Sequence, residues 1–146
     1  MLLNIPRIIT PDLLLALYKM GHTDEIVIAD SNFPGATMAK GSVIGEPMYL
    51  NGAGVPEVLD AVLQLIPLDY AEQQSVIGVL APPEQGPMPI HDEFPKVLAK
   101  HGYGADRIGW VTKPQFYERA RKAAYVVVTG EQARFANIIV RKGVVK

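Results

Sequence analysis

Cysteine is absent from this chain of 146 residues. That gap removes disulfide scaffolds, thiol nucleophiles and thiolate metal sites together, because each needs a sulfur. No apolar run reaches the roughly 18 residues that a membrane-spanning helix needs. Charge of one sign is missing too: 14 Lys and Arg stand against 15 Asp and Glu, a formal net charge of −1. The basic residues Arg141, Lys142 and Lys146 are too few, and too balanced by acids elsewhere, to imply nucleic acid. The opening stretch MLLNIPRIITPDLLLALYKMGHTDE has no basic segment ahead of its apolar residues, and polar residues interrupt it before a signal-peptide core can form. A cytoplasmic protein is therefore expected. Repeats, low-complexity tracts and interdomain linkers are also lacking. The glycines of Asn51-Gly52-Ala53-Gly54 have neither the upstream strand nor the third glycine of a dinucleotide fingerprint.

What remains is ordinary for one globular domain spanning residues 1–146, with 49% hydrophobic and 20% charged residues. The mean hydropathy is mildly positive, more apolar surface than one small core consumes, and subunit contacts are expected to take up the surplus. Thr10-Pro11-Asp12 combines a capping hydroxyl, a residue with no N–H to leave unpaired and an acid for the positive helix end, so a helix is predicted over residues 11–20, stopped by Gly21. A buried strand follows from residue 25 or 26 to 29. Residues 32–52 read as a long loop with one short strand near 47–50, because glycine, proline and serine interrupt any helical spacing. Helices are predicted over 56–66, 91–101 and 115–122, and strands over 75–80, 107–112, 124–128 and 138–140. Helices and strands interleave, which predicts a layered α/β domain.

The stretch GHTDEIVIADSNFP puts ionisable groups at both mouths of a strand that has no structural need of them. His22 can take and give a proton near neutrality, or simply bond a loop carbonyl; Asp24 is close enough to fix its tautomer. Asp30 follows the strand at its carboxyl end, where open sheets expose binding residues, but a carboxylate there can equally start a turn. Tyr117 in FYERA is a relay candidate or a core-edge tyrosine with a wet hydroxyl. Lys113 stands at a sheet mouth or on the surface. Asn137 suits a sugar hydroxyl or an edge carbonyl. His91 and His101 read as surface or cap residues. No H-x-x-x-H or H-x-H pair occurs, so no metal site is expected, and Ser31, Ser42 and Ser75 lack the context of a hydrolase nucleophile.

The ordered set MGHTDEIVIADSNFP, FYERARKAAYVVVTGE and FANIIVRKG resembles the family of L-fucose mutarotases and D-ribose pyranases, over residues 13 to about 144. FYERA followed by an apolar strand and TGE is more similar to the fucose branch. The resemblance implies a three-layer α/β/α domain with a mixed, mostly parallel central sheet, and a ring-like homo-oligomer, commonly a decamer of two stacked pentamers. It also implies cofactor-independent interconversion of cyclic forms of a monosaccharide. By the same resemblance His22 is the catalytic acid/base, Asp30 lies beside the sugar, Tyr117 is a site tyrosine and Asn137 is the sugar-binding residue of a Y-x-N motif. Two positions depart from the pattern. Phe135 replaces the motif tyrosine, removing a hydroxyl, and Lys113 stands where relatives carry His or Arg.

Opening an aldose ring takes a proton from the anomeric hydroxyl and gives one to the ring oxygen. A neutral imidazole at His22 suits the first step, and Tyr117 can complete the relay. Asp30 is expected to orient a sugar hydroxyl, since an unshifted carboxylate is a weak base at neutral pH. The alternative is a sugar-binding or sensing oligomer of the same fold with little or no catalysis.

Overall fold

A computed structural model describes all of residues 1–146. Six strands form one mixed sheet: β1 (Glu25–Ala29), β2 (Met48–Leu50), β3 (Val76–Val79), β4 (Ile108–Val111), β5 (Tyr125–Thr129) and β6 (Ile138–Arg141). Their spatial order is β2-β5-β1-β6-β3-β4. Every neighbouring pair is parallel except those involving β6, which runs antiparallel to both β1 and β3. The helices are α1 (Pro11–Lys19), a short α2 (Gly35–Met38), α3 (Val55–Leu63), α4 (Glu93–Lys100) and α5 (Lys113–Ala120).

Strand alternation sends successive side chains to opposite faces and so builds two cores. Ile26, Ile28, Val76, Tyr125, Val127, Ile138 and Val140 pack with α1, α3 and α4 on one face. Val27, Ala29, Ile77, Val79, Val126, Val128 and Ile139 pack with Met38 of α2 and with Phe116 and Ala120 of α5 on the other. The result is the single-domain α/β architecture with a mixed, mostly parallel sheet between helical layers. Phe94 and Phe116, fully buried on opposite faces, each contribute roughly 1.5–3 kcal/mol by leaving water.

Local chemistry accounts for the helix ends. The Thr10 hydroxyl accepts from the Leu13 N–H at 3.2 Å, as its position before Pro11 predicts. Helix α1 stops at Lys19, one residue short of the expected end, because Met20 turns extended and buries its side chain. Helix α5 begins at Lys113 rather than at 115. Thr112 caps it, accepting from the Gln115 N–H while the Gln115 side chain accepts from the Thr112 N–H. The long loop after β1 carries α2, which the glycine and threonine of its sequence concealed.

Candidate active site

The direction of β6 decides what meets at each end of the sheet. Because β6 opposes its neighbours, its first residues lie beside the exits of β1 and β3, and its last residues beside their entrances. Asp30 follows β1, Asn137 precedes β6, and Lys113 lies just after β4, so all three gather at one mouth. There a cavity of about 320 Å³ is lined by Asp30, Asn32, Phe33, Val79, Lys113, Tyr117, Arg134, Phe135 and Asn137. Five of the six residues expected to form the site therefore share one small-molecule-sized cavity. His22 is not among them.

Hydrogen bonding fixes the orientation of the buried polar groups. The Asp30 backbone N–H donates to Asn137 Oδ1 at 2.7 Å, so the amide oxygen faces the backbone and the NH₂ is left to donate into the cavity. The Asp30 carboxylate accepts from the Asn32 N–H at 2.9 Å, the turn that an aspartate after a strand can make. Asp30 thus does both things its position allowed: it starts a turn and lines the cavity. Burial pushes its carboxyl up from the ordinary range. The N–H groups of Asn32, Ala136 and Phe33 pull in the other direction, and Glu131 adds to the rise.

Tyr117 reaches the cavity from the second turn of α5. Its ring meets Phe33 edge-on at 5.6 Å, and Lys113 Nζ lies 5.3 Å from its centroid. Phe135 is half-buried with φ +57, a left-handed conformation that is costly for an aromatic residue. Arg134 on the rim escaped sequence reasoning, for nothing in its local pattern separates it from a solvated arginine.

The opposite mouth holds a second set of groups. His22 sits in the turn before β1, where Thr23 also has a positive φ of 73. Its Nε2 lies 3.0 Å from Asp69 Oδ1; a carboxylate only accepts, so Nε2 carries the proton. Asp69 is buried, accepts from the Ala71 N–H at 3.0 Å and from Arg141 Nε at 2.8 Å, and its backbone carbonyl accepts from Arg107. Burial raises the Asp69 carboxyl, but those donors outweigh it and hold the pKa down at about 2. The imidazole is half-exposed, with Nδ1 free of the dyad. Asp24, close enough in sequence to fix the tautomer but read first as the polar start of the strand, accepts from the Gly21 N–H at 2.8 Å. Asp69 takes that role from 47 residues away, and only the fold brings it there.

Five residues of β1, at about 3.3 Å each, put the two mouths roughly 17 Å apart within one chain. The other histidines are also engaged. His101 Nε2 contacts Asp60 Oδ1 at 2.7 Å, tying α4 to α3, and His91 Nε2 contacts the Phe135 carbonyl at 2.7 Å. No three His, Asp or Glu side chains converge as a metal ion would require. No helix is long and apolar enough to cross a membrane.

A model of the RbsD / FucU transport protein family matches residues 3–145. The chain belongs to that family. Among curated relatives of this RbsD / FucU member, the human fucose mutarotase is 41% identical, covering 97% of this chain and 92% of the relative; the bovine fucose mutarotase is 40% identical with the same coverage. A crystal structure of the fucose mutarotase in complex with L-fucose, from Streptococcus pneumoniae, superposes with a TM-score of 0.91 at 38% identity, over 99% of this chain and 100% of the other. The RbsD structure from Bacillus subtilis, complexed with D-ribose, has a TM-score of 0.68 at 20% identity, covering 94% and 95% of the two chains, and shares the fold.

Proposed function

We propose that this RbsD / FucU member is a cofactor-independent mutarotase of a neutral aldose, L-fucose or a close relative. The observation that carries the reading is the convergence of Asp30, Lys113, Tyr117, Phe135 and Asn137 on one sugar-sized cavity. The similarity to fucose mutarotases, one of them in complex with L-fucose, supports the choice of sugar.

In this reading the Asn137 NH₂ and the Asp30 carboxyl hold sugar hydroxyls, while Tyr117 exchanges a proton with the ring or anomeric oxygen. His22, steadied by Asp69, presents a free Nδ1 as the base. It does so from another copy of the chain, because its own cavity lies beyond the length of β1. The proposed assembly is a closed ring, in which a head-to-tail contact of this kind ends without leaving an open filament, and a decamer of two pentamers is the proposed size. Positioned acid–base groups contribute typically ~10²–10⁴-fold, a modest demand that fits a reaction already proceeding in water.

Saturation-transfer NMR of anomer exchange in L-fucose, D-ribose and related aldoses tests the reading, with His22→Gln and Asp30→Asn each expected to abolish most exchange. Co-assembling the two inactive variants tests the shared site. About a quarter of sites in a randomly mixed ring would then hold both an intact His22 and an intact Asp30, restoring activity in that proportion. No recovery would defeat the two-copy arrangement. Phe135, which brings no hydroxyl, favours a second reading, a sugar-binding protein without efficient turnover; a sugar that binds without accelerated exchange would select it.

A further inference from the structure

His91 lies outside the proposed chemistry, yet it is joined to the cavity by a single peptide group. Its Nε2 is 2.7 Å from the carbonyl oxygen of Phe135. A carbonyl only accepts, so Nε2 is protonated. The N–H of that same peptide belongs to Ala136, and it is turned toward the Asp30 carboxyl. One residue later, Asn137 receives the Asp30 backbone N–H at 2.7 Å. The peptide is thus held at its oxygen by His91, while its N–H faces the Asp30 carboxyl. Phe135, at φ +57, is the residue whose backbone conformation needs such support.

The imidazole is itself immobilised. Its ring centroid is 4.5 Å from that of Trp110 on β4 and 6.3 Å from that of Phe94 on α4. Pro89 opens the short turn that carries it. Two aromatic neighbours and a part-buried carbonyl partner set His91 apart from a freely solvated histidine. The hydrogen bond polarises the peptide, which strengthens the donor at Ala136 facing Asp30.

From this geometry we propose that His91 is a positioning residue of the sugar cavity: by holding the Phe135 carbonyl it fixes the Phe135–Ala136 peptide, and through it the aim of Phe135, Asp30 and Asn137. His91 touches neither the cavity nor the reacting atoms. Its contribution therefore falls on substrate binding rather than on the proton transfers. The part of this inference that concerns sugar affinity rests on the function proposed above; the part that concerns the peptide does not.

Three measurements separate the two. First, ¹⁵N NMR of His91 in the unaltered protein should show a protonated Nε2; an unprotonated Nε2 overturns the inference with no variant needed. Second, amide hydrogen exchange at Ala136, Asn137 and Asp30 should quicken about tenfold in His91→Leu and stay near the parent rate in His91→Gln, whose amide can still donate. Equal exchange in all three proteins overturns it. Third, His91→Leu should raise KM for the preferred aldose about tenfold with kcat nearly unchanged, and His91→Gln should restore most of the loss. A Gln variant as impaired as the Leu variant would assign His91 to aromatic packing alone and overturn the positioning role. Quickened amide exchange in a protein that binds no aldose would uphold the peptide-holding role while defeating the proposed function.

Discussion

At the scale of single residues, two carboxylates are tuned in opposite directions. Asp69 is held at about pKa 2. A carboxyl depressed in the folded state contributes stability that is fully present above its unfolded value of about 3.8, and that contribution is lost as pH falls through the folded value. Acid titration of the parent should therefore show a loss of stability between about pH 4 and pH 2 that Asp69→Asn lacks, measured by thermal melts across that range. The same variant leaves His22 with a weaker partner, and its kcat should fall while the fold persists. Asp30 is the reverse case, a buried carboxyl pushed up, so its charged form is a burden at neutral pH. Asp30→Asn should keep or raise the melting temperature while removing activity, the trade expected of a site residue; a clear drop in melting temperature would assign Asp30 to the fold instead. Phe135→Tyr restores the hydroxyl that Phe135 lacks, and should raise turnover or widen the range of sugars accepted.

At the scale of elements, α5 carries both Lys113 and Tyr117 to the cavity. Thr112→Ala removes half of its capping box and should cost about 1 kcal/mol in chemical denaturation, with a rise in KM from the frayed first turn. Thr112 also shows where sequence reading falls short. A threonine before Lys-Pro-Gln announces a helix start, yet strand periodicity claimed it, and the helix was expected two residues late. Helix α1 and strand β1 were legible because their caps and apolar spacing agree. Helix α2 was hidden, since GATM is four residues long and packs rather than patterns its way into a helix. Asp30, Tyr117 and Asn137, which share the cavity, were marked by family motifs spread along the chain, and Lys113 and Phe135 by their departure from those motifs. Asp69, Arg134 and the engagement of His91 were not, because each depends on a contact spanning many residues with no local signature.

At the scale of the whole molecule, part of the apolar surplus gathers in one place. Leu15, Val43, Ile44 and Tyr49 are all exposed along one groove of about 500 Å³ between α1 and the edge strand β2. A short edge strand flanked by exposed apolar side chains suits burial against another copy. Ile44→Glu with Tyr49→Lys should shift the protein toward smaller species in sedimentation velocity and reduce sugar exchange with it; an unaltered sedimentation profile would place the contact elsewhere. A second large depression differs in kind, for the Glu25 carboxylate on its wall is already shared by Arg119 and Arg141.

The placement of β6 also bears on how the molecule is made. The strand enters late in the order of synthesis, yet it alone joins the β2-β5-β1 half of the sheet to the β3-β4 half. Before β5 and β6 have left the ribosome, β1 and β2 therefore have no strand beside them, and only β3 and β4 can pair. Closure of the sheet must await that moment, and any shielding the cell provides is most needed just before it.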